Sequence, residues 1–481
     1  MSIDLLITNA TIVNAHSTVE GHIAVREGRI AAIYDAATSP ELLPGAARII
    51  DAGGCTVIPG GVDSHAHVEQ VTGAYKSLDT YETASIAALW GGTTTIMDFG
   101  IPANSSETPL EAAENKIRLA RVSRCDVALH AAVVDWDETV PAQLERLAEY
   151  GIRSAKMYTT NRGSTMANGD TIVKVMREMV RLDGLTYIHA EHDPIIVDCL
   201  AQHGLGQDAV EQYSGSGAVP VEHLHRTRPE LAEATSVAEV LAMAEYTGAP
   251  VYFVHQTIPE AVALVQDARS RGLEAYSESC PHYLTLDEDV YHSEFPEKFA
   301  CCPPMRSRET VEALLERVRA GEVHTISSDH SCYDLAQKRS RRHDVRFMPH
   351  GLPGIETRMP VAFTTLVAEQ GMTVQQFVEL FAAGPARINR LEGKGVIAPG
   401  YDADLVIFDP DEARTVDGRA LHMGTDFSPF DGMELSGWPS TVVMGGRVVL
   451  HEDEFTDPGP TGRFLQRHSS SKKAALVGRA L

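Results

Sequence analysis

The chain holds 481 residues, with 41 lysines and arginines against 66 aspartates and glutamates, a formal net charge of −25. Hydrophobic residues at 43% and charged ones at 22% suit a globular protein with a large core and exclude collagen-like, disordered and disulfide-scaffold classes. A chain this acidic lacks the basic face that phosphate backbones and anionic lipids require, so neither nucleic acid nor membrane is expected as a partner.

Met1-Ser2-Ile3-Asp4 places an acid where a signal peptide carries lysine or arginine. The uncharged stretch 83–97 contains Gly91 and Gly92 and falls short of the ~20 apolar residues of a membrane span. Cys55, Cys125, Cys199, Cys280, Cys301, Cys302 and Cys332 are odd in number and scattered, the pattern of reduced thiols, and a cytoplasmic location is expected.

Residues 3–54 carry short apolar runs (5–7, 10–13, 23–25 and 30–33) punctuated by Glu27-Gly28 and Gly53-Gly54, which indicates β-hairpins. From residue 57 the style changes. Eight apolar, β-branched runs follow, at 57–62, 93–99, 126–133, 152–158, 185–189, 251–255, 273–277 and 323–327. Between them lie helical periodicities such as 109–122, 141–150 and 236–246, the last opening with a capping-box pattern at Ser236 and Glu239. Strands alternating with helices predict an α/β fold, a parallel (β/α)₈ TIM-type barrel; the strand count disfavours a doubly wound sheet. Residues 397–450 return to hairpins, around Met444-Gly445-Gly446. The expected domains are a small β-sandwich built from both chain ends (1–54 with 396–456), a catalytic barrel (55–395) and an extended tail (457–481).

His65 and His67 close the first barrel run, and residues i and i+2 of a strand share a face, so both imidazoles can aim into one space. His189 ends the fifth run, His255 the sixth, Asp329 follows the eighth and Lys156 lies within the fourth. In a parallel barrel all of these carboxyl ends open on one rim, where an active site belongs. A single strand-end histidine is usually structural. Four of them with an acid and a lysine at one rim point to metal chemistry. His130, His192, His282, His324 and His330 are expected in supporting hydrogen bonds, Cys301 and Cys302 as small buried loop residues, and 338–342 (KRSRR) as a solvated basic loop.

These residues resemble the metal-dependent amidohydrolase superfamily and, within it, the hydantoinase/dihydropyrimidinase branch. Further markers are Gly91-Gly92-Thr93-Thr94-Thr95, Glu278-Ser279-Cys280-Pro281-His282-Tyr283-Leu284, Pro303-Pro304-Met305-Arg306, Ser328-Asp329-His330 and Gly400-Tyr401-Asp402-Ala403-Asp404-Leu405. The resemblance implies two divalent ions, one on His65, His67 and Asp329, the other on His189 and His255, bridged by Lys156 carboxylated with CO₂. Imidazole and carboxylate ligands suit zinc, while manganese, cobalt and nickel also fit. The implied reaction is hydrolytic ring opening of a cyclic amide, a hydantoin, dihydropyrimidine or imide, with Asp329 as general base and then acid.

Where relatives of this type carry a tyrosine five residues after the lysine, this chain has Asn161. Cys302 and His350 stand where serine and asparagine are common in gripping the substrate. These departures predict poor turnover of dihydrouracil. Glu69, two residues after His67, disfavours an anionic substrate such as dihydroorotate. Allantoinase and a non-catalytic scaffold are the alternative readings. The resemblance also implies a homo-oligomer, commonly a tetramer.

Overall fold

The computed structural model describes residues 3–202 and 218–469. Eight parallel strands pair in chain order: Gly61–Ala66, Thr93–Gly100, Asp126–Ala132, Ser154–Tyr158, Leu185–His189, Val251–Phe253, Ala275–Ser279 and Thr325–Ile326. Closure comes from the segment after the last strand. The Asp329 amide donates to the His65 carbonyl (3.0 Å) and the His67 amide to the His330 carbonyl (2.7 Å). The (β/α)₈ expectation is met, and the closing hydrogen bonds themselves deliver Asp329 to the two histidines.

The helices pack outside the strands for reasons legible in their sequences. Thr108 caps Pro109–Leu119 through a capping box with Glu111, and proline at the first helical position supplies a preset φ. Asn168 caps Gly169–Arg181 by accepting from the Thr171 amide (2.9 Å). Ser236 is no cap. The helix runs from Glu230 to Thr247, and the buried Ser236 meets the Thr159 hydroxyl (2.8 Å) instead. Ser236 and Glu239 carry the right residue types, but helical periodicity already extends upstream of them.

The expected first barrel strand divides. Thr56–Pro59 enters a nine-stranded sheet of the chain ends, between Ile3–Asn14 and Leu405–Phe408, while Gly61–Ala66 enters the barrel. The break falls at Gly60, where an added Cβ would lie 2.2 Å from the Thr94 hydroxyl. One apolar run thus serves two sheets, and hydropathy alone does not show the turn. The hairpin expected around Met444-Gly445-Gly446 forms, with Thr441–Met444 pairing antiparallel to Arg447–His451.

Beyond Asp457 the described part of the tail lies along the barrel. The Leu465 amide donates to the Val127 carbonyl (2.8 Å) and the Arg467 amide to the Gly151 carbonyl (3.1 Å). The run of serines and lysines at 470–473 lies outside the described residues.

Near this tail, buried Lys394 joins three carboxylates, Asp126 (2.6 Å), Asp402 (3.2 Å) and Asp404, and Arg463 pairs with Asp126 and Asp402. The cluster ties barrel, end sheet and tail together. Lys394→Met should cost about 3–5 kcal/mol, because buried carboxylates lose their shared cation. Denaturant unfolding checks this, and a loss below ~1 kcal/mol, the scale of an exposed ion pair, would show that Arg463 suffices.

Candidate metal centre

At the carboxyl rim of the barrel, the Nε2 atoms of His65 and His67 lie 3.2 Å apart, and Asp329 Oδ1 lies 3.0 and 3.3 Å from them. Two imidazole nitrogens and a carboxylate oxygen this close form a set of donors around one point. Burial opposes ionisation of Asp329, yet His65 and His67 hold its carboxyl well below the usual range.

Each histidine is aimed by what sits behind it. His65 Nδ1 meets Glu278 Oε1 at 2.7 Å, which places the ring proton there and leaves Nε2 with its lone pair toward the site. Glu278 is fully buried and also accepts from Tyr252 (2.6 Å) and Ser327 (2.7 Å). His189 Nε2 meets Glu191 Oε2 at 2.7 Å, and Arg228 pairs with the same oxygen. Despite burial, Arg228 and His189 bring the Glu191 carboxyl down to about 2. His255 is buried with Nδ1 unpartnered, its ring centroid 4.5 Å from that of His189 and 5.4 Å from that of His65.

Backbone conformation contributes too. His255 (φ 39°) and Asp329 (φ 48°) both adopt left-handed φ just past their strands, a conformation that L residues other than glycine rarely take. Such conformations cost of order 1–3 kcal/mol and persist where the surroundings enforce them. Here they turn the chain at the rim.

Lys156 lies between these groups. Its side chain is fully buried, and Nζ has no hydrogen-bond partner among the described residues. It faces the rings of Phe99 (4.6 Å) and Tyr158 (5.0 Å). Burial drives its pKa down to about 7, against the pull of Asp329 and Glu278. An unpaired buried amine is costly. The donor set (four imidazoles, one carboxylate and a lysine with nothing to bind) fits divalent metal.

Of the residues expected at the substrate, Cys302 and His350 come together, with Sγ 2.5 Å from Nδ1, while His350 Nε2 donates to the Val345 carbonyl. Cys302 therefore presents its S–H to a lone pair, and burial pushes the thiol well up. Asn161 adopts left-handed φ (70°), with its amide toward the Thr165 hydroxyl (3.4 Å). Glu69 is paired with Lys76 at 2.9 Å, so it repels an anion less than an isolated carboxylate would.

The supporting histidines divide. His130 bonds Ser154 (2.6 Å) and the Ser64 carbonyl, and His330 bonds Asp79 (3.0 Å). His324 accepts from the Ser277 amide (3.0 Å). His282 is buried with Nε2 unpartnered. The basic run is not wholly solvated. Lys338 is fully buried and donates to the carbonyls of Ala300 (2.7 Å) and Gly351, joining the two segments that carry Cys302 and His350. Its neighbour Arg339, partly exposed, pairs with the buried Glu297 (2.6 Å).

Sequence reasoning gave no role to Glu278 or Glu191. The signal was present: a carboxylate directly after the barrel run 273–277, and another two residues after His189, must each find a partner if buried.

Against known proteins, the amidohydrolase family profile matches residues 56–449. The chain is 34% identical over 468 residues to a D-hydantoinase of Ralstonia pickettii, covering 96% of this chain and 99% of that protein. Its fold superposes on a dihydropyrimidinase from Brevibacillus agri with a TM-score of 0.89 at 29% identity, covering 96% and 98% of the two chains. For an L-hydantoinase (dihydropyrimidinase) from Arthrobacter aurescens the TM-score is 0.86 at 26% identity, over 97% and 100%.

Proposed function

The chain belongs to the amidohydrolase family, and on that basis we propose that it opens a neutral cyclic amide by metal-dependent hydrolysis. The substrate is a hydantoin, dihydropyrimidine or related imide, and the product an N-carbamoyl or amide acid. The observation that carries this reading is Lys156, buried and unpartnered among His65, His67, His189, His255 and Asp329. Relatives named for hydantoins and dihydropyrimidines support the substrate class.

His65, His67 and Asp329 would hold one divalent ion and His189 and His255 a second, with zinc the best fit to the donors and manganese, cobalt or nickel compatible. Lys156 would bridge them as a carbamate, formed when the neutral amine adds CO₂ and loses a proton. When bound, the ions supply Lewis acidity toward a carbonyl and lower the pKa of a water from about 15.7 towards ~7.

The remaining steps belong to the chain. Asp329 takes the proton of the attacking water and delivers it to the leaving ring nitrogen, so the ureido or amide group departs neutral. Glu278 and Glu191 hold His65 and His189 in single tautomers, which keeps their lone pairs on the site. Cys302 and His350 form one wall of the substrate pocket, stiffened by Lys338, and Asn161 meets the exocyclic substituent. Thr159, bonded to the carbonyls of His189 (3.1 Å) and Glu191 (2.9 Å), anchors the loop that carries Asn161.

The assembly we propose is a homo-oligomer, tetrameric as in the resemblance above. Val180 and Tyr246, exposed on the packed helices Gly169–Arg181 and Glu230–Thr247, offer apolar surface for it. Among the described residues no helix is long and apolar enough to cross a membrane. The seven unbridged cysteines favour a reducing, cytoplasmic setting.

Metal-loaded protein assayed for proton release with a panel of cyclic ureides and imides tests the reading. Turnover of hydantoins or imides, with dihydrouracil poor, is expected. Cleavage of linear amides or esters alone would overturn it.

A further inference from the structure

Hydrolysis of an amide builds negative charge on the carbonyl oxygen, and a donor not already committed to another protein acceptor is best placed to meet that charge. This argument rests on the ring-opening reading above. Most hydroxyls around the centre are already committed. Tyr187 donates to Asn389 (2.7 Å), Tyr252 to Glu278 (2.6 Å) and Tyr283 to the Pro303 carbonyl (2.6 Å). Thr159 bonds backbone carbonyls, Arg228 holds Glu191, and the Asn161 amide turns toward Thr165.

Tyr158 differs. It ends the strand Ser154–Tyr158 two residues after Lys156, so both side chains leave the strand on the barrel-mouth side. Its ring lies 5.0 Å from Lys156 Nζ and 5.4 Å from the ring of His189, which places it against both halves of the candidate centre. The residue is 9% exposed, and among the described residues its hydroxyl has no hydrogen-bond partner. The backbone beneath it is fixed: the Ala167 amide donates to the Tyr158 carbonyl (2.8 Å), and Tyr158 pairs with His189 across the strands. A rigid strand end thus carries, beside the lysine, a ring whose O–H is uncommitted.

We propose that Tyr158 is a catalytic residue of this chain, its phenol donating a hydrogen bond to the substrate carbonyl oxygen as that oxygen becomes negative. No proton is transferred: the phenol keeps its hydrogen throughout, and the bond relaxes when the carbonyl re-forms and the ring nitrogen leaves. The assignment leaves Asn161 free to contact the exocyclic substituent.

The test is Tyr158→Phe in the metal-loaded enzyme, with Asn161→Ala alongside. For a hydantoin opened by the unaltered enzyme, kcat should fall by ~10²–10³, the usual effect of losing one oxyanion donor, with KM changed only a few-fold. Metal content should stay equal to that of the unaltered protein. Calorimetric affinity for a tetrahedral cyclic phosphinate should fall by a factor similar to that in kcat, while affinity for the ring-opened product is kept. Asn161→Ala should change KM more than kcat. Near-normal kcat in Tyr158→Phe, or loss of metal together with activity, would remove Tyr158 from the chemistry and leave the ring-opening reading standing. If the unaltered enzyme opens no cyclic amide, that reading falls and this inference falls with it.

Discussion

Replacing Lys156 with alanine is expected to release at least one metal ion per chain and to abolish ring opening. Among the described residues Nζ has no hydrogen-bond partner, so its removal breaks no bond within the protein. Phe99 and Tyr158 flank the lysine, so the cavity left behind is lined by rings that cannot replace an anionic bridge. Losing several kcal/mol of Lewis-acid stabilisation corresponds to a fall of at least ~10³-fold in turnover. Elemental analysis with a cyclic-amide assay decides the matter. Two ions per chain and normal turnover, without an added carboxylate, would show that Lys156 is a buried amine and not a bridge.

Asp329→Asn should retain the shape of the site and lower kcat by ~10²–10⁴, the range for a lost general base. Asparagine keeps an oxygen toward His65 and His67 but cannot accept the proton of an attacking water. The effect should therefore appear in kcat with little loss of metal, whereas Lys156→Ala should lose both. A left-handed φ of 48° at this position also suits asparagine, which visits that region more readily than most residues, so backbone strain does not confound the comparison. Near-native kcat in this variant would assign the proton transfer to another group.

The barrel and its rim were legible from sequence because each depends on local pattern. Leu185–His189 has its expected bounds, and the histidines at strand ends follow from where the β-branched runs stop. What escaped depends on contacts between distant segments. Gly60 separates two sheets only because Thr94 closes in on it, and Lys338 is buried only because the carbonyls of Ala300 and Gly351 converge on it. Ser236 matched a capping rule and failed because the helix had begun at Glu230. Glu278 illustrates the same limit at the site. Its residue type implied a buried partner, but that the partner is His65, 213 positions away, is a fact of topology.

The nine-stranded sheet has a consequence for how the chain folds. Barrel strands pair with their successors, so most of the barrel can assemble by closing modest loops in sequence. The end sheet cannot, because Asn14 bonds Ile397 across 383 positions, and Thr56–Pro59 waits for Leu405–Phe408 from beyond the whole barrel. Loop-closure entropy for such contacts is largest while the intervening chain is disordered and shrinks once the barrel holds its ends near each other. The barrel is then the template, and the seam that joins the hairpins of the two chain ends is the clasp, the last part to form on folding.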